Sequence, residues 1–216
     1  MTDIRDHLLI ARGAIDGALT QLREPLPVKR ILPVPYLPQW GVGADARRGD
    51  CGPANVAMLA HYLTDKRPTV DQAAAACGQP IPSSSTSFGD LQRGVAFYGV
   101  KLSACGPWNK TPLTLDIFKR AIDLGKPSIA LINYGVLRHM TDADERAVKN
   151  WDRNYNKGHW VVFVGYDADG VYVHDPNYPP PMNDGNARWL PVCAFVAALT
   201  VPAEGNRYGS GGLLLA

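Results

Sequence analysis

Residues 159–175, HWVVFVGYDADGVYVHD, hold two runs of β-branched and aromatic side chains on either side of an Asp-Gly dipeptide. This pattern specifies a β-hairpin, because Asp-Gly suits a tight turn and the flanking valines, Phe163 and tyrosines suit a pleated surface. Two neighbouring stretches extend the β pattern. SIALINY, residues 128–134, reads as a short apolar strand, and RWLPVCAFVAAL, residues 188–199, reads as a strand with a short helix around Cys193.

Upstream the period changes from two to that of a helix. From Cys51, the residues Val56, Met58, Leu59, Tyr62 and Leu63 supply the apolar surface of one helix. In TVDQAAAAC, Thr69 and Gln72 stand in capping-box positions and start a second, which ends near Gly78. TSFGDLQRGVAFYGV reads as a third, with Ser87 and Asp90 at its start. TPLTLDIFKRAIDLGKP reads as a fourth, beginning near Thr114 and stopped by Gly125 and Pro127. Helices first and an antiparallel sheet afterwards predict an α+β domain whose halves meet at a cleft.

The flanks are of a different kind. Ile4, Leu8, Ala11, Ile15, Ala18, Leu19 and Leu22 fall at helical spacing, so residues 3–22 are expected to form an amphipathic helix that docks on the main domain or tethers it. Prolines 25, 27, 33, 35 and 38 then forbid a regular helix and favour extended chain. The polar segment 138–157 is either a solvated connection or a substrate-facing flap. The end of the chain, 203–216, reads as a flexible tail, with Gly211 and Gly212 most simply explained by flexibility.

Composition narrows the function. A chain of 216 residues, 46% hydrophobic, can bury one sizeable core. Its formal charge of +2 comes from 22 basic and 20 acidic side chains mixed along the sequence, so no nucleic-acid partner is expected. No apolar run approaches the roughly 18 residues needed to span a bilayer. Asp3, Asp6 and Asp16 interrupt the first thirty residues, which therefore do not read as a signal peptide. The cytoplasm is the default expectation, with delivery outside the cell by another route left open. Cys51, Cys77, Cys105 and Cys193 are too far apart for a structural zinc site and too few for a disulfide-stapled fold.

Cys51 has the most telling surroundings of the four. Unpaired N–H groups and aligned peptide dipoles at a helix amino terminus favour a thiolate, and GDCGPANVAMLAHYL, residues 49–63, places the cysteine there. Gly52 would let a substrate carbonyl approach, and Pro53 fits the first turn, where its missing N–H costs nothing. The plain alternative is a small buried hydrophobe. A nucleophile needs a base, and among His7, His61, His139, His159 and His174 the best placed is His159. It opens an apolar strand and precedes Trp160, whose ring would shield one side of an ion pair. His174 is the runner-up, with surroundings that suit packing. Asp175, at the end of the return strand, would orient the base, with Asn177 as the alternative. The simple hairpin register pairs Asp175 near Val162, so closing the gap to His159 requires twist or a bulge. Asp167 and Asp169 read as turn residues. Acyl transfer also needs donors for a developing oxyanion, which the Cys51 backbone N–H and the Gln39 amide would supply.

Together PYLPQW, DCGPANVAMLAHYL, TLDIFKRAIDLGKPSIALI and GHWVVFVGYDADGVYVHDPNY resemble the papain-like cysteine peptidases of the branch that includes the leader peptidases of bacteriocin exporters. The resemblance covers roughly residues 34–178 and implies a papain-like fold for a peptidase domain spanning residues 31–202. It implies Cys51 as nucleophile, His159 as base, Asp175 as orienting acid and Gln39 in the oxyanion hole, although WGVGADARRGD makes the step from Gln39 to Cys51 longer than in the exporter peptidases. The implied reaction is thiolate attack on a peptide carbonyl, a thioester intermediate and its release by water, with no metal or cofactor. An amine in place of water would give transpeptidation, and an amidase would use the same triad. A catalytically inactive peptide-binding module on the same fold is the reading of a different class. Lacking a transmembrane segment and a GxxxxGK[ST] loop, the chain reads as a free-standing bacterial or phage member acting on a peptide or protein.

Overall fold

The computed structural model describes residues 29–40, 49–80, 85–106, 113–141, 156–178, 184–203 and 212–215. The helix expected over 3–22, the part of the polar segment from 142 to 155 and most of the tail lie outside the described residues.

The four expected helices form where the sequence signals them: α1 over Cys51–Leu63, α2 over Val70–Ala76, α3 over Phe88–Phe97 and α4 over Leu115–Asp123. The expected Thr69–Gln72 capping pair closes, and Ser87 and Asp90, expected at the start of α3, form a second. Thr69 Oγ1 accepts the Gln72 N–H at 3.2 Å, and the Gln72 side chain accepts the Thr69 N–H at 2.9 Å. At α3, Ser87 Oγ accepts the Asp90 N–H at 3.2 Å, and Asp90 accepts the Ser87 N–H at 2.9 Å. A fifth helix, α5 over Tyr134–Thr141, follows strand β3 without a break, and the sequence reading had continued that strand through Tyr134. Asn133 makes the switch, its side-chain oxygen accepting the Val136 N–H at 3.1 Å as an N-cap does. The sixth, α6 over Val192–Thr200, is the helix expected around Cys193.

The described strands are β1 over Arg30–Ile31, β2 over Ser103–Cys105, β3 over Ser128–Asn133, β4 over Gly158–Tyr166, β5 over Gly170–His174, β6 over Arg188–Pro191 and β7 over Gly212–Leu215. They make one antiparallel sheet in the order β2-β7-β3-β4-β5-β6, with β1 pairing on β4 beyond the end of β3. The tail expectation is corrected for residues 212–215, which form an inner strand between β2 and β3. A run of Gly followed by three leucines gives a four-residue strand whose two partners are remote in sequence, so no local signal announces it.

Alternation along the sheet builds two cores. Ile129, Trp160, Val162, Val164 and Tyr172 face α1, with Val56 and Leu59 among its contributions. Ala130, Ile132, Val161, Phe163, Val171 and Val173 face Phe118 of α4, Leu137 of α5 and Phe195 of α6. The fold is thus α+β with a helical region packed on an antiparallel sheet, and α4, α5 and α6 close its second face. Helix α1 is buried from Cys51 to Ala60, which fits its nearly unbroken run of small and apolar residues.

The hairpin turn is local, as expected. Asp167 Oδ1 accepts the N–H groups of Asp169 and Gly170 at 3.1 and 2.7 Å, confirming a turn role for Asp167. The glycine serves another purpose than turn conformation, since its φ is not positive. A Cβ on Gly170 would lie 2.1 Å from Nε1 of Trp189 on β6, so the residue is small because an indole lies across it.

Candidate active site

Cys51 is the first residue of α1, and no acidic side chain occupies that helix's first turn. The buried N-cap Asp50 precedes it, and the N–H groups of the first turn point toward this end of the helix. Asn55 Nδ2 donates to the Cys51 carbonyl at 2.7 Å and fixes the backbone there. Cys51 is only 9% exposed. The space a Cβ would take on Gly52 is filled by Thr86, whose own Cβ would be 2.6 Å away, so the glycine lets the 85–87 loop pack on the start of α1.

On the sheet, a one-residue slip brings His159 and Asp175 together. Near the turn Tyr166 pairs with Val171 and Gly165 with Tyr172; past Gly165 the register shifts, so that Phe163 meets Val173 and Val162 meets His174. Without the slip Asp175 would oppose Val162 and project to the α1 face of the sheet. With it, the strand continues to place Asp175 across from Val161, on the same face as His159, since residues two apart share a face. This is the bulge that the sequence register required. His159 Nε2 donates to Asp175 Oδ1 at 2.8 Å, with both side chains buried. Three further bonds hold Asp175 in place. Its Oδ1 also accepts the Asn177 N–H at 3.0 Å, its own N–H donates to the Gly185 carbonyl at 2.9 Å, and its carbonyl accepts the Tyr36 hydroxyl at 3.0 Å.

The electrostatics follow from this enclosure. Burial alone would drive the proton off His159, but the Asp175 carboxylate and its hydrogen bond, followed by the Cys51 thiol as hydrogen-bond and charge partner, reverse the sign and raise the ring's pKa. Burial likewise favours neutral Asp175, and His159, Arg188 and the Asn177 N–H overcome it to hold the carboxyl below its ordinary value. Both members are charged at neutral pH. With Nε2 committed to the carboxylate, Nδ1 is the ring nitrogen left for sulfur.

Other candidates sort by their partners. His174, the runner-up base, is buried with both nitrogens engaged: Nε2 donates to the Val34 carbonyl at 2.7 Å and Nδ1 accepts the Ala187 N–H at 2.9 Å. Burial lowers its pKa and keeps it neutral, a packing role. His61 bonds the Pro68 carbonyl at 3.0 Å, away from Cys51. His7 and the His139 side chain lie outside the described residues. Asn177 gives its backbone N–H to Asp175 and its amide to the Tyr134 hydroxyl at 3.3 Å, so it buttresses the acid. Gln39 is 2% exposed, and its N–H donates to the Pro176 carbonyl at 2.8 Å, which ties the proline-stiffened segment to the residue after Asp175.

Trp160 packs in the same buried cluster as Cys51. Its ring lies on the opposite face of β4 from His159, where Nε1 donates to the Thr86 carbonyl at 3.0 Å and Phe88 packs edge-on at 4.8 Å. The ring against His159 is Tyr134, with centroids 4.4 Å apart. Sequence reasoning missed Tyr134 because it was read as the end of a strand. It missed Arg188 too, since nothing local distinguishes one arginine at the start of a short strand. All four cysteines are free. Burial pushes the Cys77 thiol up to about 12.

No curated protein matches the chain. Among solved structures, a C39-like peptidase from Bacillus anthracis superposes with a TM-score of 0.56 at 18% identity, covering 88% of this chain and 98% of that one. The peptidase domain of Streptococcus ComA, a bi-functional ABC transporter, gives 0.48 at 14% identity, covering 85% and 98%. A double glycine motif protease from an AMS/PCAT transporter, in complex with the leader peptide, gives 0.46 at 15% identity, covering 87% and 97%. The Peptidase_C39 like family matches residues 31–195, well over half of the chain. The chain therefore belongs to that family and is a cysteine peptidase whose substrate is a peptide or protein.

Proposed function

We propose that Cys51 is the nucleophile, His159 the general base and acid, and Asp175 the group that orients it, and that the protein hydrolyses a peptide or isopeptide bond through a thioester on Cys51. The observation that carries this reading is the buried 2.8 Å bond from His159 to Asp175, with Cys51 at the amino terminus of α1. The thiolate adds to the carbonyl carbon; as the tetrahedral intermediate collapses, the C–N bond breaks and His159 passes its proton to the leaving amine. Neutral His159 then takes a proton from water as it attacks the thioester, and the acid product leaves with the thiolate restored.

The Cys51 N–H and the Gln39 amide are the proposed oxyanion donors. Support for Gln39 comes from its burial and from its anchor to Pro176, which fixes that segment independently of the long connection to Cys51. Profiling a peptide library by mass spectrometry tests the reading. The wild-type chain is expected to release defined cleavage products, and Cys51→Ala to release none. Products that persist in Cys51→Ala would refute it.

A further inference from the structure

Asp175 shares its charge between two cations, only one of which belongs to the proposed triad. Strand β6 pairs with β5 so that Arg188 lies across from Val173, on the face that carries Asp175 two residues further on. His159, Asp175 and Arg188 thus stand on one face of three adjacent strands. Arg188 Nη1 is 3.6 Å from Asp175 Oδ2. The guanidinium is held by two further contacts: Nη2 donates to Thr141 Oγ1 of α5 at 3.2 Å, and the group lies 5.4 Å from the centre of the Tyr178 ring.

At 3.6 Å the contact with the carboxylate is one of charge and not a hydrogen bond. Among the described residues neither Asp175 Oδ2 nor Arg188 Nη1 has a hydrogen-bond partner. The two carboxylate oxygens therefore divide their work, with Oδ1 taking the His159 and Asn177 hydrogens and Oδ2 facing the arginine. Charge balance shows why a second cation is needed. With Cys51 and Asp175 anionic and His159 and Arg188 cationic, the buried group is neutral overall; without Arg188 it carries an uncompensated negative charge, which burial penalises. When His159 has given its proton to the leaving amine, Asp175 would face only a neutral ring.

We infer that Arg188 is a positioning residue that keeps Asp175 anionic while His159 is neutral, so that the carboxylate orients the ring and does not take its proton. This rests on the Cys51–His159–Asp175 reading above. Among the described residues, Tyr36, Tyr134 and Tyr178 also interact with Asp175, with Asp184 and Arg138 acting on those tyrosines. Burial raises all three phenols, so none titrates in the acid range where the carboxylate does.

The test is the pH profile of Cys51 alkylation by iodoacetamide, a neutral probe, in the full chain. Arg188→Met is expected to move the acid limb upward by about one pH unit, making alkylation on that limb about tenfold slower. Arg188→Lys, which restores charge without the planar fork, is expected to stay close to wild type. Arg188→Gln, which keeps a polar contact to Thr141, replaces Met if that variant does not fold. In an Asp175→Asn background, where no carboxylate charge remains, Arg188→Met is expected to add no displacement. A limb that does not move in Arg188→Met, or moves as far in Arg188→Lys, overturns the inference, as does an equal displacement in Asp175→Asn. If wild-type Cys51 shows no His159-dependent alkylation at all, the triad reading fails first and takes this inference with it.

Discussion

At the residue scale the site depends on a few side chains whose partners are fixed by burial. Asp175→Ala leaves a buried imidazolium without its counter-charge and its hydrogen-bond acceptor, so kcat/KM on a cleaved peptide is expected to fall by about 10²–10⁴. Asp175→Asn, which keeps an acceptor but loses the charge, should fall between that variant and wild type; unchanged rates in both would remove Asp175 from the mechanism. Gly52→Ala drives a methyl against Thr86, and overpacking of this kind costs about 1–3 kcal/mol. Differential scanning calorimetry should show a Tm lowered by several degrees. The His159–Asp175 bond and the place of Cys51 at a helix start were legible in the sequence because each sits at an element end that the local pattern announces. Tyr134 and Arg188 were not, because their importance comes only from what the fold brings beside them, a ring at 4.4 Å and a carboxylate at 3.6 Å.

At the element scale, legibility follows the range of the interactions that make each element. The capping box at Thr69 is written within four residues and appears in the fold as read, and Ser87 and Asp90, read as a helix start, form a second. Ser87→Ala removes an N-cap acceptor and should cost about 0.5–2 kcal/mol in a denaturant titration, whereas an unchanged midpoint would mean that the cap is replaced by solvent. The β4–β5 hairpin was equally local, and the register pointed to a missing residue shift before the bulge was seen. Strand β7 was hidden because its partners β2 and β3 are remote in sequence. Helix α5 was hidden because its start depends on one asparagine at the end of a strand. The Asp-Gly signal gave the right turn for an incomplete reason, since Gly170 is required by the Trp189 indole that crosses it.

At the scale of the whole molecule, the two cores seat α1 against the sheet whose β4–β5 hairpin carries the His159–Asp175 pair. The charged pair formed there should be visible in stability. The raised pKa of His159 contributes stability fully below its ordinary 6.5 and loses it as pH rises through the raised value. Asp175, held below its ordinary 3.8, contributes above that pH and loses its contribution as pH falls through the lowered value. His174 acts oppositely to His159: kept neutral by burial, it contributes above 6.5 and costs stability as pH falls. The difference in Tm between wild type and His159→Gln isolates the pair. It is expected to be widest between about pH 4 and 6.5 and to narrow into the alkaline range; a difference that does not vary with pH would mean that His159 carries no charge in the fold. The most direct test of the account is the pH dependence of alkylation at each cysteine, followed by mass spectrometry in wild type and His159→Ala. Cys51, though nearly buried, should label below about pH 6, where an ordinary thiol titrating near 8.5 is almost wholly protonated, and should lose that labelling in the variant. If Cys51 instead labels no faster than the exposed Cys193 and is indifferent to His159, there is no activated Cys51–His159 pair.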